Sequence, residues 1–178
     1  EFCGQWLRRH AVDAGIDPYA VMLAEARRRG KEALLSFRMN DDHGNDFLRT
    51  RFWADHPEWR EKTAVQQDAQ LDWRKLMNLT NRECFRAVGD GVRQLIGRFD
   101  WDGVNLAELY FESLEGIDNP SRFTPMNSDV RVLFKEQAGF DPVELFGDKE
   151  IFGARKDAAA RTAFLDFRAG LARGMQEE

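Results

Sequence analysis

Two acids, Glu108 and Glu112, lie four residues apart in the stretch Asp102-Gly-Val-Asn-Leu-Ala-Glu-Leu-Tyr-Phe-Glu112, which otherwise reads as a buried strand. Successive strand side chains point to opposite faces, which puts Ala107, Leu109 and Phe111 on one face and Glu108, Tyr110 and Glu112 on the other. An ionised carboxylate within a sheet is costly unless it is paired, hydrogen-bonded or opened to a water-filled pocket. The mouth of a sheet or barrel offers that opening, and a carboxylate tuned by a half-dry pocket is what glycoside hydrolysis uses as acid or base. Glu108 is therefore the central catalytic candidate. Glu112, at the strand end, is either a second carboxylate or the first loop residue. The competing reading of Glu108 is a structural acid paired with Arg38 inside the sheet.

Arg38, Asn40 and His43 follow the run Lys31 to Met39 and could bind sugar hydroxyls or a carboxylate at the pocket edge. Trp53, Trp59 and Trp73, with Phe52, offer flat amphipathic surfaces on which sugar rings stack, or else a local core under a long excursion. Tyr110 shares the face of Glu108, where its hydroxyl could orient the acid. Arg122 to Asn127 form either a loop over the site or an ordinary helix cap. Asp41, Asp42, His43, Asn45 and Asp46 are rich in oxygen ligands but lack the spacing of a calcium loop. They read as a solvated turn, so no metal and no cofactor is expected.

Recognisable elements must position these residues. Asp17-Pro18 is an N-cap followed by a first-turn proline, opening a helix that runs to Gly30. Lys31 to Met39 alternates as a strand, with Leu35, Phe37 and Met39 on one face. A polar and aromatic insertion spans about 41–72, longer than most connections in compact domains. Arg74 to Leu79 reads as a short strand, and Thr80-Asn81-Arg82-Glu83 as a capping box for a helix whose apolar face is Phe85, Val88, Val92, Leu95, Ile96 and Phe99. A strand, a helix and the Glu108 strand in succession predict a parallel βαβ unit. Further helices are predicted near Ser128 to Ala138, after Asp141-Pro142, and over Asp157 to Met175.

Composition limits the function classes. The chain has 178 residues, 43% of them hydrophobic, and a net charge of −5. That suits one ordinary domain and speaks against nucleic-acid binding by broad phosphate neutralisation. Arg27-Arg28-Arg29 suits the dipole at a helix C-terminus. Cys3 and Cys84 form neither a disulfide framework nor a zinc motif. No apolar run reaches the roughly 18 residues of a membrane span. The opening Glu1-Phe-Cys-Gly-Gln-Trp is no signal peptide and has no initiator Met, so the rest of a longer chain is expected beyond it. A closed (β/α)₈ barrel needs at least roughly 200 residues. The expected fold is therefore α/β: a single domain over 1–178 forming part of a TIM-type barrel, helix-rich with few parallel strands.

The segments Leu76-Met-Asn-Leu-Thr-Asn81, Ile96-Gly-Arg-Phe-Asp-Trp-Asp-Gly103 and Val-Asn-Leu-Ala-Glu108 resemble the glycoside-hydrolase-like barrels related to the glycosyl-hydrolase-like 10 family, whose strand reads D-G-I-H-F-D-D-Y. Asp102 and Gly103 match the opening pair, Asn105 stands where His is usual, Ala107 replaces the first acid, and Glu108 falls on the second. Leu35 to His43 is similar to the preceding barrel strand. The resemblance covers roughly residues 16–146. It implies a carbohydrate-active enzyme segment working on a polysaccharide or oligosaccharide, with a carbohydrate substrate, no nucleic acid and no membrane partner. A non-catalytic carbohydrate-binding barrel and a helix-rich interaction domain are the alternatives. A likeness to chitinase-type strands is weaker, because Leu109 stands at the position of their terminal acid.

Overall fold

The computed structural model describes residues 8–41, 51–71, 74–112, 116–146 and 157–177. Helix α1 (Pro18–Arg28) starts as its sequence requires: Asp17 is extended, and its carboxylate accepts the amides of Tyr19 at 3.0 Å and Ala20 at 3.4 Å. Strand β1 (Leu34–Arg38) follows. Within the insertion lie a short helix α2 (Arg51–Asp55), a 3₁₀ turn (Pro57–Trp59) and the two-residue strand β2 (Gln70–Leu71), which pairs antiparallel with β3 (Arg74–Lys75). Helix α3 (Arg82–Arg98) leads into β4 (Gly103–Ala107). Helix α4 (Ser128–Ala138), a 3₁₀ turn capped by Asp141 and Glu144, and helix α5 (Ala158–Glu177) complete the described chain.

The molecule is mixed α/β, mostly helical, with a small parallel sheet of two strands, β1 and β4. Leu35 is in register with Val104 and Phe37 with Leu106, while Ser36 faces Asn105 and Arg38 faces Ala107. Register partners share a face. One face is therefore apolar (Leu35, Phe37, Val104, Leu106), and the other is small or polar apart from Leu34 (Ser36, Arg38, Gly103, Asn105, Ala107). The apolar face is buried at Leu35 but not on β4, where Leu106 is 47% exposed.

The predicted strand at Arg74 to Leu79 is not a member of the parallel sheet. Its backbone is claimed by the insertion and by the turn after β1: Leu76 donates to the Ala69 carbonyl and accepts from the Glu61 amide, Met77 donates to Asn40, and Asn78 donates to Trp59. With those groups taken, the parallel partner of β4 is β1. Two further expectations shift in detail. Asn81 rather than Thr80 caps α3, accepting the amides of Glu83 and Cys84 at 3.0 Å each. The buried stripe of α3 is Cys84, Val88 and Val92, with Ile96 exposed.

Apolar residues gather in two clusters. One, beneath the parallel pair, joins Met39, Trp53, Met77, Leu79, Cys84, Val88 and Val92. The other joins α4, α5 and the segment before α4 through Phe123, Met126, Phe134, Phe140 and Phe164. Asn127, at the N-cap position of α4, does not cap it. Its side chain accepts from the Lys62 amide and donates to the Arg60 carbonyl, both at 2.9 Å, tying the insertion to α4.

Candidate functional site

The site lies where β1 and β4 end, at the carboxyl edge of the parallel pair, the side on which open α/β sheets bind ligands. Strand β4 ends at Ala107 because Glu108 leaves the strand conformation: its φ is 57°, in the left-handed region. The predicted alternation through to Glu112 therefore stops at Glu108. The buried strand expected over 102–112 is a short, largely exposed one followed by an irregular segment. A left-handed Glu costs on the order of 1 kcal/mol or more, and such strain persists only where its surroundings enforce it.

Arg38 is one of those enforcing groups. Its Nε lies 3.2 Å from Glu108 Oε1, and its Nη1 donates to Asp41 Oδ2 at 3.1 Å. Glu108 Oε2 is buried and has no hydrogen-bond partner among the described residues. Asn40 is buried, and its Nδ2 donates to the Tyr110 carbonyl at 2.6 Å, clamping the end of β1 to the chain beyond β4. The Tyr110 hydroxyl accepts from Arg74 Nη1 at 2.6 Å. Arg74 also forms an ion pair with Glu112, which is almost wholly buried. Burial pushes the Tyr110 phenol up from its ordinary value, against the pull of the Arg74 guanidinium.

Beneath this layer is a group that sequence reasoning missed. Glu61 is 0% exposed, and neither of its carboxylate oxygens has a formed hydrogen bond among the described residues. The Thr124 hydroxyl, which accepts from the Glu112 amide at 2.8 Å and keeps its own hydrogen to donate, lies beside it. Burial pushes the Glu61 carboxyl up to about 8; Thr124 and the Arg168 guanidinium oppose this, and the neighbouring Glu112 adds to it. Arg168 reaches in from α5, donating to the backbone carbonyls of Thr124 and Glu112 and lying 4.4 Å over the Phe123 ring. Burial brings its guanidinium down to about 10.

The structure thus brings Arg38, Asn40, Glu108 and Tyr110 to one edge and sets Glu112 behind them as the anchor of Arg74. It places the tryptophans elsewhere. Trp53 is 7% exposed, with Arg60 at 3.7 Å and Lys75 at 4.8 Å from its ring, so it is core and offers no open face for a sugar. Trp59 stacks on His56 at 3.9 Å and packs against Phe52. His43 and Trp73 lie outside the described residues, as do Asp42, Asn45 and Asp46. The side chain of Asp41 is buried against Arg38. Among the described residues no three His, Cys, Asp or Glu side chains are grouped to hold a metal ion, and no helix is long and apolar enough to cross a membrane.

The strain at Glu108 yields a prediction of its own. Glycine adopts a positive φ without steric cost, and a half-exposed ion pair contributes only about 0–1 kcal/mol. Glu108→Gly is therefore expected to lose no stability and to gain up to about 1 kcal/mol. Urea unfolding measures this; a loss above about 1 kcal/mol would mean that the carboxylate stabilises the fold.

Searches against protein-family models, curated proteins and solved structures gave no match to this chain.

Proposed function

We propose that this chain is a segment of a carbohydrate-active enzyme of the (β/α)-barrel type, with Glu108 as its acid/base carboxylate. The observation that carries the reading is Glu108 itself: an acid in a strained left-handed conformation at the carboxyl edge of a parallel pair, with one oxygen on Arg38 and the other without a hydrogen-bond partner among the described residues. Acids kept at such a cost are concentrated at functional sites. The two faces of the parallel pair support the barrel. In a barrel, one strand face is covered by helices and the other lines the interior; here the apolar face is buried at Leu35 of β1 and exposed at Val104 and Leu106 of β4, and the other face carries Ser36, Arg38 and Asn105.

Cleavage of a glycosidic bond needs a carboxylic acid that protonates the leaving oxygen and a second carboxylate across the sugar ring. Glu108, oriented by Arg38, takes one of these two roles. Glu112, enclosed and held by Arg74, positions Tyr110 and the chain behind Glu108.

Turnover of a panel of oligosaccharides and aryl glycosides, followed as released reducing ends, tests the assignment. Glu108→Gln is expected to lower the rate about 10²-fold or more, the usual contribution of a positioned acid. Unchanged turnover in that variant removes Glu108 from the chemistry. A second reading, a non-catalytic sugar-binding module, draws on Ala107 standing where the resembled family has an acid. It requires that the protein bind glycans without turnover and that Glu108→Gln leave the affinity unaltered.

A further inference from the structure

Behind Arg38 a cleft of about 250 Å³ runs between the end of β1 and the flank of α3. It is lined by the apolar Phe37, Met39, Phe52, Met77 and Val88 and, at the end of β1, by Arg38 and the buried side chains of Asn40 and Asp41. Two small residues, Ala87 and Gly91, line it from α3, one turn apart on the same side of the helix. Gly91 sits in the helix interior, where glycine is less favourable than alanine, and a Cβ added there would meet nothing within 4 Å. No close packing of backbone accounts for it. Its effect is to leave the cleft open.

The end of β1 has the opposite character. Arg38 is about half exposed and paired with Glu108, whose second oxygen has no hydrogen-bond partner among the described residues. An apolar chamber with charged groups at one end matches a ligand that is apolar at one end and polar at the other, as in most small-molecule sites. A volume of this size takes a single ring or a short alkyl chain, and the mainly apolar lining suits an aromatic or alkyl group better than a hydrated sugar.

We propose that this cleft is a subsite for a small apolar group, an aromatic ring or short alkyl chain, covalently joined to the polar substrate that reaches Arg38 and Glu108. This deepens the glycan-processing reading and rests on it for the polar half only: the substrate class becomes glycosides with an apolar aglycone. The occupant is set by the continuity of the cleft with the site through Arg38 and by the mainly apolar residues that line it away from the end of β1.

The experiment is a titration of the full chain with benzyl alcohol, benzyl glycosides and the matching methyl glycosides, read by backbone amide shifts. Benzyl alcohol alone is expected to give saturable shifts at Phe52, Val88 and Gly91. Gly91→Leu fills the cleft from an otherwise open position and is expected to weaken that binding at least tenfold; Ala87→Leu provides a second filled variant should the first disturb the helix. Thermal melts of both check the fold. If benzyl alcohol gives no saturable shift, or if both filled variants bind it as the parent does, the subsite is overturned. If benzyl alcohol binds but the benzyl glycosides gain nothing over it and are not turned over, the subsite stands and the glycan reading falls. If methyl glycosides are processed as well as benzyl glycosides and benzyl alcohol does not bind, the glycan reading stands and the subsite falls.

Discussion

Replacing Glu61 with glutamine is expected to abolish a loss of stability that the parent protein suffers between about pH 4.5 and pH 8. The folded chain holds the Glu61 proton up to about 8, whereas the unfolded chain releases it near the ordinary value of 4.5. Between those limits the unfolded state binds fewer protons than the native one, so stability falls as pH rises. The fall is complete above the folded value. At roughly 1.4 kcal/mol per unit it amounts to as much as roughly 5 kcal/mol. Glutamine has the shape of the protonated acid and cannot ionise. The variant should therefore match the parent near pH 5, exceed it increasingly toward pH 9, and show a flatter profile throughout. Urea midpoints at pH 5, 7 and 9 measure the difference, and parallel profiles for the two proteins would falsify the burial of an uncharged Glu61. The neighbouring charges do not confuse the window. Arg168, brought down only to about 10, stays cationic through it, and the buried Cys84 thiol is pushed up to about 12.

Arg74→Met is expected to cost about 3–5 kcal/mol, the usual penalty for leaving a buried charge without its partner. Arg74 is 13% exposed in its side chain and meets both the Glu112 carboxylate and the Tyr110 hydroxyl. Methionine keeps the length of the side chain and much of its packing, so the loss reports mainly on the stranded Glu112. Adding Glu112→Gln removes the stranded charge and should recover more than half of the loss. The double-mutant cycle separates the ion pair from the packing. Should the single variant lose under about 1 kcal/mol, or the two losses simply add, Arg74 and Glu112 are not coupled and Glu112 draws its compensation from Arg168.

What the sequence disclosed follows local rules, and what it hid depends on distant partners. The cap at Asp17-Pro18, the start of α3 beside Asn81, and the alternating stretches Leu34–Arg38 and Gly103–Ala107 are readable because capping and two-residue alternation are encoded within a few positions. Glu108 was singled out for being an acid in an apolar run, and its place beside Arg38 follows from strand register. Its left-handed backbone was not readable, since no glycine or asparagine marks the spot. The alternation rule, extended past it, carried the expected strand five residues too far.

Glu61 left no trace for a different reason. It stands between Arg60 and Lys62, and such a charged triplet reads as surface. In the fold Arg60 and Lys62 pair with Asp68 while Glu61 points inward. Arg168 did leave a signal. Ala160, Phe164 and Arg168 recur every four residues along α5, and the first two are buried. A cation on the buried stripe of a helix asks for an internal acceptor. For Trp53 the sequence leaves two readings open, because an aromatic in a long excursion looks the same whether it faces solvent or seals a small core, and the structure buries it.

The pairing of β1 with β4 also sets a schedule. Ser36 and Asn105, in register, are 69 positions apart in the chain, and everything between them must be made before the sheet can close. At roughly 5–20 residues per second, synthesis leaves β1 waiting about 3–14 s for its only described partner. Throughout that interval Leu35 and Phe37 have no sheet to bury them, while α1, capped within its own sequence, can already form. Closing so distant a contact is also entropically costly and slow. During biogenesis the chain is therefore most open to chaperones or to misassociation at β1, the strand whose last residue will hold Glu108.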